Sequence, residues 1–268
     1  MQVERGADSS RPEGEPLLVA EGIVKRFGGV AAVDGVSFAL RRGEILGLIG
    51  PNGAGKTTLF DCLAGSQSPS EGRILMRGRP VERLPAWRRL EAGLGRTFQI
   101  PRPFPEMTVL ENVLLGRQGA AGETILPNWL QPGRVRREEA ESRERAMVLL
   151  DFVTLAKLAN EPARVLSGGQ RKLLELARVL MAEPEAILLD EPAAGVNPSL
   201  LEVIMERIRD LNARGTTFLL IEHNMDMVAR LCGRVLVMAS GQLLMTGTHD
   251  EVVRDRRVVD AYLGGVAA

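Results

Sequence analysis

The sequence predicts an α/β fold. Its core is a mostly parallel sheet with helices on its faces, an antiparallel β edge and an inserted helical subdomain. Three observations predict it. The apolar run Ile45-Leu46-Gly47-Leu48-Ile49 leads into Gly50-Pro51-Asn52-Gly53-Ala54-Gly55-Lys56-Thr57-Thr58 and then into Leu59–Ala64, so strand, glycine-rich loop and helix follow one another. A second apolar strand, Ala186-Ile187-Leu188-Leu189, ends on the acids Asp190-Glu191. From Ser167 onward apolar runs alternate with helical periodicity, the signature of parallel strands joined by helices.

The first elements follow from local pattern. Leu17 to Phe27 and Val30 to Arg41 read as strands, with Val33, Val36, Phe38 and Leu40 alternating late in the second. Arg41–Glu44 is a turn. The helix after the glycine-rich loop stops at Gly65, the usual residue past a helix end. Ser66 to Gly72 reads as a loop, Arg73 to Arg77 as a short strand and Leu84 to Ala92 as a short amphipathic helix. The middle of the chain differs: Thr108 to Leu115 is helical, Gly116 to Gly133 is a long Gly- and Pro-rich connection, and Arg134 to Phe152 is a charged helix. Its Arg and Glu run is a solvated face laced with i,i+4 pairs. The expected helical subdomain spans about residues 100–183. The frame then resumes with a helix from Gly168 to Ala182, a strand Ala186 to Leu189, a helix Pro198 to Asn212, a strand Thr217 to Ile221 and a helix Met225 to Leu231. Val235–Met238 and Gln242–Thr246 are the last strands, and Asp250 to Leu263 is helical. The folded domain is expected over 17–263, with short tails at 1–16 and 264–268.

Composition narrows the function. The chain has 268 residues, 45% of them hydrophobic, enough for one large or two small domains with a substantial core. Lysines and arginines number 34 and so do aspartates and glutamates, which argues against broad nucleic-acid binding. Cys62 and Cys232 lie far apart without metal-ligand spacing, which fits a reduced cytosolic setting and buried thiols. The polar stretch Met1–Pro16 lacks a signal-peptide core and reads as a disordered tail, and no run is long enough to span a membrane.

Three motifs carry chemistry. Gly50–Thr58 fits a phosphate-binding loop: its glycines let the backbone wrap close, and the helix N-terminus adds positive potential. Lys56 can reach β- and γ-phosphates, and the Thr57 hydroxyl can ligate Mg²⁺. Asp190, at a strand's carboxyl end, suits a magnesium ligand acting through water, and Glu191 suits a base for an attacking water. Ser167 and Gln170, in Leu166-Ser167-Gly168-Gly169-Gln170, form a capping box; the glycines there expose helix N–H groups to an anion, a second phosphate site.

In this order, with Gln99 in Arg96-Thr97-Phe98-Gln99 and His223 after a strand, these pieces resemble the ATP-binding subunit of an ABC transporter. The resemblance covers about Leu17 to Leu263. Within that family Phe104–Val113, Asp190–Pro198 and the long insert around Gly116–Arg137 resemble the branched-chain amino-acid importers, and the insert the larger of that system's two ATPase subunits. The resemblance implies ATP and Mg²⁺ as ligands, Phe27 stacked on adenine with Ala32 beside it, Gln99 at Mg²⁺ and the attacking water, and His223 at the γ-phosphate. From the residues alone Phe27 reads as a core side chain. The family implies a head-to-tail dimer with an identical or paralogous ATPase, transmembrane permease subunits, a solute-binding protein met indirectly, and a place at the cytoplasmic face of the cell membrane. One position departs: Asn197 stands where the family usually has aspartate.

Competing readings differ in testable features. A lipopolysaccharide-exporter ATPase is similar, but it favours an aspartate at 197 and a shorter middle. A DNA-repair ATPase carries a long coiled-coil arm, for which Lys56 and Ser167 stand too close. Translation-type ATPases pair two cassettes in one chain, and a small-molecule kinase has no use for Ser167–Gln170. Ile100–Val109, apolar and interrupted by prolines, either folds on its own domain or meets a membrane subunit through Phe104 and Met107.

Overall fold

The protein is described by a computed structural model covering residues 14–97, 101–118 and 132–264. Its strands are β1 (Pro16–Phe27), β2 (Val30–Arg41), β3 (Ile45–Ile49), β4 (Glu71–Met76), β5 (Arg79–Pro80), β6 (Leu94–Arg96), β7 (Ala186–Asp190), β8 (Thr217–Ile221), β9 (Arg234–Ala239) and β10 (Gln242–Gly247). Its helices are α1 (Lys56–Ala64), α2 (Ala86–Glu91), α3 (Val109–Leu114), α4 (Pro132–Phe152), α5 (Gly168–Leu180), α6 (Pro198–Ala213), α7 (Met225–Leu231), α8 (His249–Arg254) and α9 (Arg256–Gly264).

The strands build two sheets. The smaller, β2-β1-β4-β5, is antiparallel throughout. The larger runs β10-β9-β3-β8-β7-β6 and is parallel except where β10 turns back on β9.

Every residue of β3, β7 and β8 is buried, so these strands are apolar on both faces. Alternation then sorts their side chains into two clusters. Ile45, Ile49, Ile187, Leu189, Phe218, Leu220, Val235 and Val237 face a cluster built with α3, α4, α5, α6 and α7. Leu46, Leu48, Ala186, Leu188, Leu219, Ile221, Leu236 and Met238 face one built with α1 and the antiparallel sheet. The larger sheet is therefore the middle of three layers.

The helices α3, α4 and α5 pack on one another. On α4, Ala146 and Leu150 are buried and the charged face is largely exposed, as its periodicity requires.

Several boundaries shift from the sequence reading. Pro16 belongs to β1, where it pairs with Arg41, and the Arg42 N–H donates to the Glu15 carbonyl at 3.2 Å; residues 1–13 of the expected tail lie outside the described residues. Strand β4 begins at Glu71. Strands β5 and β6 were not expected: two and three residues are too short to show alternation. The α4 helix starts at Pro132, since a proline is preset for the first helical turn; residues 119–131 of the expected connection lie outside the described ones. The expected C-terminal helix is two helices, because the Asp255 side chain accepts the Arg257 N–H at 2.8 Å and restarts the helix. Both cysteines are buried, and burial pushes the Cys232 thiol up to about 12.

One buried charge ties α2 to the C-terminal end of α1. Arg89 on α2 is 1% exposed. Its guanidinium donates to the carbonyls of Leu63 at 2.6 Å, Glu82 at 2.8 Å and Leu84 at 2.9 Å, and also to that of Cys62. Cys62 and Leu63 are in the last turn of α1, where carbonyls lack helical partners and a cation is favoured. Burial lowers the Arg89 pKa to about 10, still charged at neutral pH. Arg89→Met would fill the space but strand these carbonyls. We expect a loss of about 2 kcal/mol or more, since each buried unsatisfied group costs about 1–3 kcal/mol. Chemical denaturation of wild type and variant checks it.

Candidate active site

Strand β8 lies between β3 and β7, so three carboxyl ends open side by side on one rim of the sheet. Parallel α/β sheets bind ligands at this edge. The glycine-rich loop follows β3, Asp190 ends β7 with Glu191 next, and His223 follows β8. Residues remote in sequence thus meet.

The loop admits no side chain at two positions. A Cβ on Gly50 (φ 154°) would overlap the Met238 carbonyl oxygen, and one on Gly55 (φ 93°) that of Ala32. Only glycine brings the backbone this close. Gly55 opens α1 without a side-chain cap, whereas α3, α5 and α8 each open with a capping box. The first N–H groups of α1 thus have no side-chain acceptor of their own, which suits an anion. Lys56 is buried, and its Nζ donates to the carbonyls of Gly50 at 2.7 Å and Pro51 at 3.0 Å. Burial lowers its pKa, and the charges of Glu191 and Asp190 oppose that shift.

Asp190 is 3% exposed, and its Oδ2 accepts from Arg96 at 3.1 Å. Burial raises its pKa, while the Arg96 hydrogen bond lowers it. Thr57 and Asp190 line one cleft with Arg96, Arg102, Glu175 and Arg178. Among the described residues no group of three or more His, Cys, Asp or Glu could hold a metal alone. The donor set, a hydroxyl and one carboxylate beside an anion site, fits a magnesium ion that keeps water and phosphate oxygens as its other ligands.

Glu191 and His223 stand together, Oε1 to Nε2 at 3.2 Å. Glu191 sits at φ 48°, a left-handed conformation that costs a non-glycine residue about 1–2 kcal/mol. Three bonds hold its backbone there: its N–H donates to the Ile221 carbonyl at 3.0 Å, and its carbonyl accepts from the Lys172 Nζ at 2.6 Å and the Ala194 N–H at 3.1 Å.

Glu222, 2% exposed, has a role that sequence reasoning missed. Its Oε1 accepts from the Ala193 N–H at 2.6 Å, and its Oε2 from those of His223 at 2.9 Å and Asn224 at 3.0 Å. One carboxylate thus staples the loop after β7 to the loop after β8. The signal was a charge after the apolar run Phe218–Ile221 of a buried strand, a place where charge is seldom left unpaired.

The remaining candidates fall around this rim. Ala32 abuts the loop through its carbonyl. Phe27 is 50% exposed at the end of β1, so it is not the core side chain that its position suggests; the Lys25 ammonium lies 5.2 Å from its ring. Asn52, Gly53 and Thr57 are exposed, Pro51 and Thr58 half-buried, and Ala54 buried. Ser167 and Gln170 form the expected capping box, with the Ser167 N–H donating to Gln170 Oε1 at 2.9 Å and the Gln170 N–H to Ser167 Oγ at 3.3 Å. Ser167 and Gly168 face solvent, and a Cβ on the buried Gly169 would strike Leu200. Asn197 caps α6, accepting from the Leu200 N–H at 2.9 Å. Asparagine and aspartate cap equally well, so the helix start survives and only the charge is absent. Gln99 lies outside the described residues.

Comparison with known proteins agrees with this geometry. The family described as ABC transporter matches residues 33–194. A high-affinity branched-chain amino acid transport ATP-binding protein, LivG of Salmonella typhimurium, is 42% identical over 251 residues, 93% of this chain and 98% of that protein. A crystal structure of a nucleotide-free ATP-binding cassette from an ABC transporter superposes with a TM-score of 0.81 at 38% identity, covering 92% of this chain and 99% of the other. The ADP conformation of MJ1267, another such cassette, gives a TM-score of 0.80 at 37% identity, over 93% and 99% of the two chains. A glycine loop that excludes side chains, two acids and a histidine on one rim, and likeness along nearly the whole chain lead to one conclusion: this protein belongs to the ATP-binding subunits of ABC transporters.

Proposed function

We propose that this chain hydrolyses ATP to drive uptake of branched-chain amino acids or similar small amide solutes through separate membrane subunits. The observation that carries the reading is the shared rim of glycine loop, Asp190, Glu191 and His223, in a chain 42% identical to a branched-chain amino acid transport ATP-binding protein. The relatives are branched-chain amino acid transport ATP-binding proteins, which does not favour the lipopolysaccharide-exporter or DNA-repair alternatives.

When bound, ATP supplies the phosphoryl group and Mg²⁺ neutralises its developing charge. The chain's own residues do the rest. Gly50–Thr58 bind phosphate through backbone N–H groups, with Lys56 as the fixed cation. Thr57, Asp190 and Gln99 would hold the metal. Glu191 accepts the proton of the attacking water at a carboxylate oxygen. His223, 3.2 Å away, orients that carboxylate and reaches toward the γ-phosphate. Phe27 offers an exposed ring for adenine with Ala32 at its side.

Ser167–Gln170 serve the partner's nucleotide. Their exposed N-terminus supports a head-to-tail pair with a second ATPase, identical or paralogous. Among the described residues no helix is long and apolar enough to cross a membrane. Attachment at the cytoplasmic face through permease subunits, with a solute-binding protein beyond them, belongs to the same proposal. Ile100–Val109, described from Pro101 onward, is the docking loop. Buried Asn112 fixes its backbone, accepting from the Phe104 N–H at 2.8 Å and donating to the Phe104, Met107 and Thr108 carbonyls. Met107 is half-buried, while the Phe104 ring stays 52% exposed. A rigid loop presenting an aromatic suits an interface core.

Three outcomes test these assignments. Glu191→Gln should bind ATP while hydrolysis falls about 10²–10⁴-fold, the usual share of a general base; near-normal turnover of the verified variant would sink the base. Phe27→Ala should weaken ATP and GTP alike by about 1–3 kcal/mol in titration calorimetry, because stacking needs only a π-face; an unchanged affinity would remove the stacking role. Phe104→Ser should leave the melting temperature and basal turnover of the isolated subunit intact but abolish co-purification with the permease. Retained assembly would refute the docking loop.

A further inference from the structure

Arg96 was legible only as part of a motif, yet it joins the two halves of the proposed metal site. Thr57 lies on α1 and Asp190 on β7, elements with no covalent reason to keep a fixed distance. Arg96 ends β6, which pairs with β7 in parallel, Arg96 opposite Leu188. Its guanidinium forks: Nη2 donates to Asp190 Oδ2 at 3.1 Å, and Nη1 to Asp61 Oδ1 at 2.5 Å. Asp61 stands one helical turn after Thr57 on α1, and residues four apart share a helix face. The three side chains are 11%, 3% and 22% exposed for Arg96, Asp190 and Asp61, so solvent screens them little.

We infer that Arg96 is a positioning residue that sets the separation of Thr57 and Asp190 by bridging Asp61 to Asp190, and so tunes affinity for the divalent cation. The inference rests on Thr57 and Asp190 as the metal-holding pair. A planar fork fixes two carboxylates at once, whereas a lysine ammonium offers a point charge on a flexible stem. Groups that orient a metal's ligands commonly carry about 10–100-fold in metal affinity. Simple electrostatics makes the opposite forecast for one variant: deleting a cation beside a metal site should tighten metal binding.

The test is Mn²⁺ binding to the full chain preloaded with ADP, followed by the electron paramagnetic resonance signal of free Mn²⁺. ADP affinity in EDTA and melting temperature are measured alongside. Arg96→Lys keeps the charge and loses the fork; Arg96→Gln loses both; Asp61→Asn loosens the far anchor without touching Asp190. We expect each to weaken Mn²⁺ binding about tenfold or more while ADP affinity in EDTA is unchanged. Arg96→Lys with Asp61→Asn should bind no more weakly than the weaker single variant, as for residues acting in one chain of contacts. Unchanged affinity in Arg96→Lys, tightening in Arg96→Gln, or an equal loss with and without metal would overturn the inference. Asp190→Asn is the control: loss of Mn²⁺ binding there while the Arg96 variants bind normally refutes Arg96 alone, and retention there refutes the metal pair itself.

Discussion

The placement of β8 between β3 and β7 is the constraint on which the site depends. Because all three strands are parallel and buried on both faces, their register is fixed by packing. A slip by one residue would exchange the cluster facing the helices for the one facing the antiparallel sheet. That register brings Glu191 and His223 to 3.2 Å and lets the Glu191 N–H reach the Ile221 carbonyl. The hydrophobic core thus sets the positions of Glu191 and His223.

Buried charge completes what apolar packing begins. Arg89 closes the C-terminal end of α1, and Arg96 ties the same helix to β7 through Asp61 and Asp190. Glu222 staples the loops that follow β7 and β8. Each is held by two or more bonds from different elements, the condition under which a buried charge organises a structure instead of weakening it. The N-terminus of α1 has no side-chain cap, whereas α3, α5 and α8 each open with a capping box. We propose that an anion supplies there what a side chain supplies elsewhere.

The legible part of this architecture was local. The glycine loop, the Ser167–Gln170 capping box and the bounds of β2, β3, β8 and α7 follow from turn chemistry, helix caps and apolar period within a few residues. The acids ending β7 were legible because a buried strand seldom ends on charge without reason. What stayed hidden was relational. Arg89 and Arg96 appear in the sequence as ordinary charges, and their meaning lies in carbonyls and carboxylates far along the chain; Glu222 shows only as a charge ending a buried strand, with its reach to Ala193 hidden. Strand β6 was too short to announce itself, so Arg96 could not be placed opposite β7. Phe27 misled for a related reason: strand ends are usually covered, and only the hairpin's geometry leaves this ring at 50% exposure.

The central claim is that three strand ends form one ATP site. It is tested most directly by a crystal structure of the Glu191→Gln protein with ATP and Mg²⁺. The account expects phosphate oxygens within about 3 Å of Lys56 Nζ and the α1 N–H groups, with the metal between Thr57 and Asp190. Nucleotide bound away from this rim, or bound there with its metal held by other residues, would contradict it.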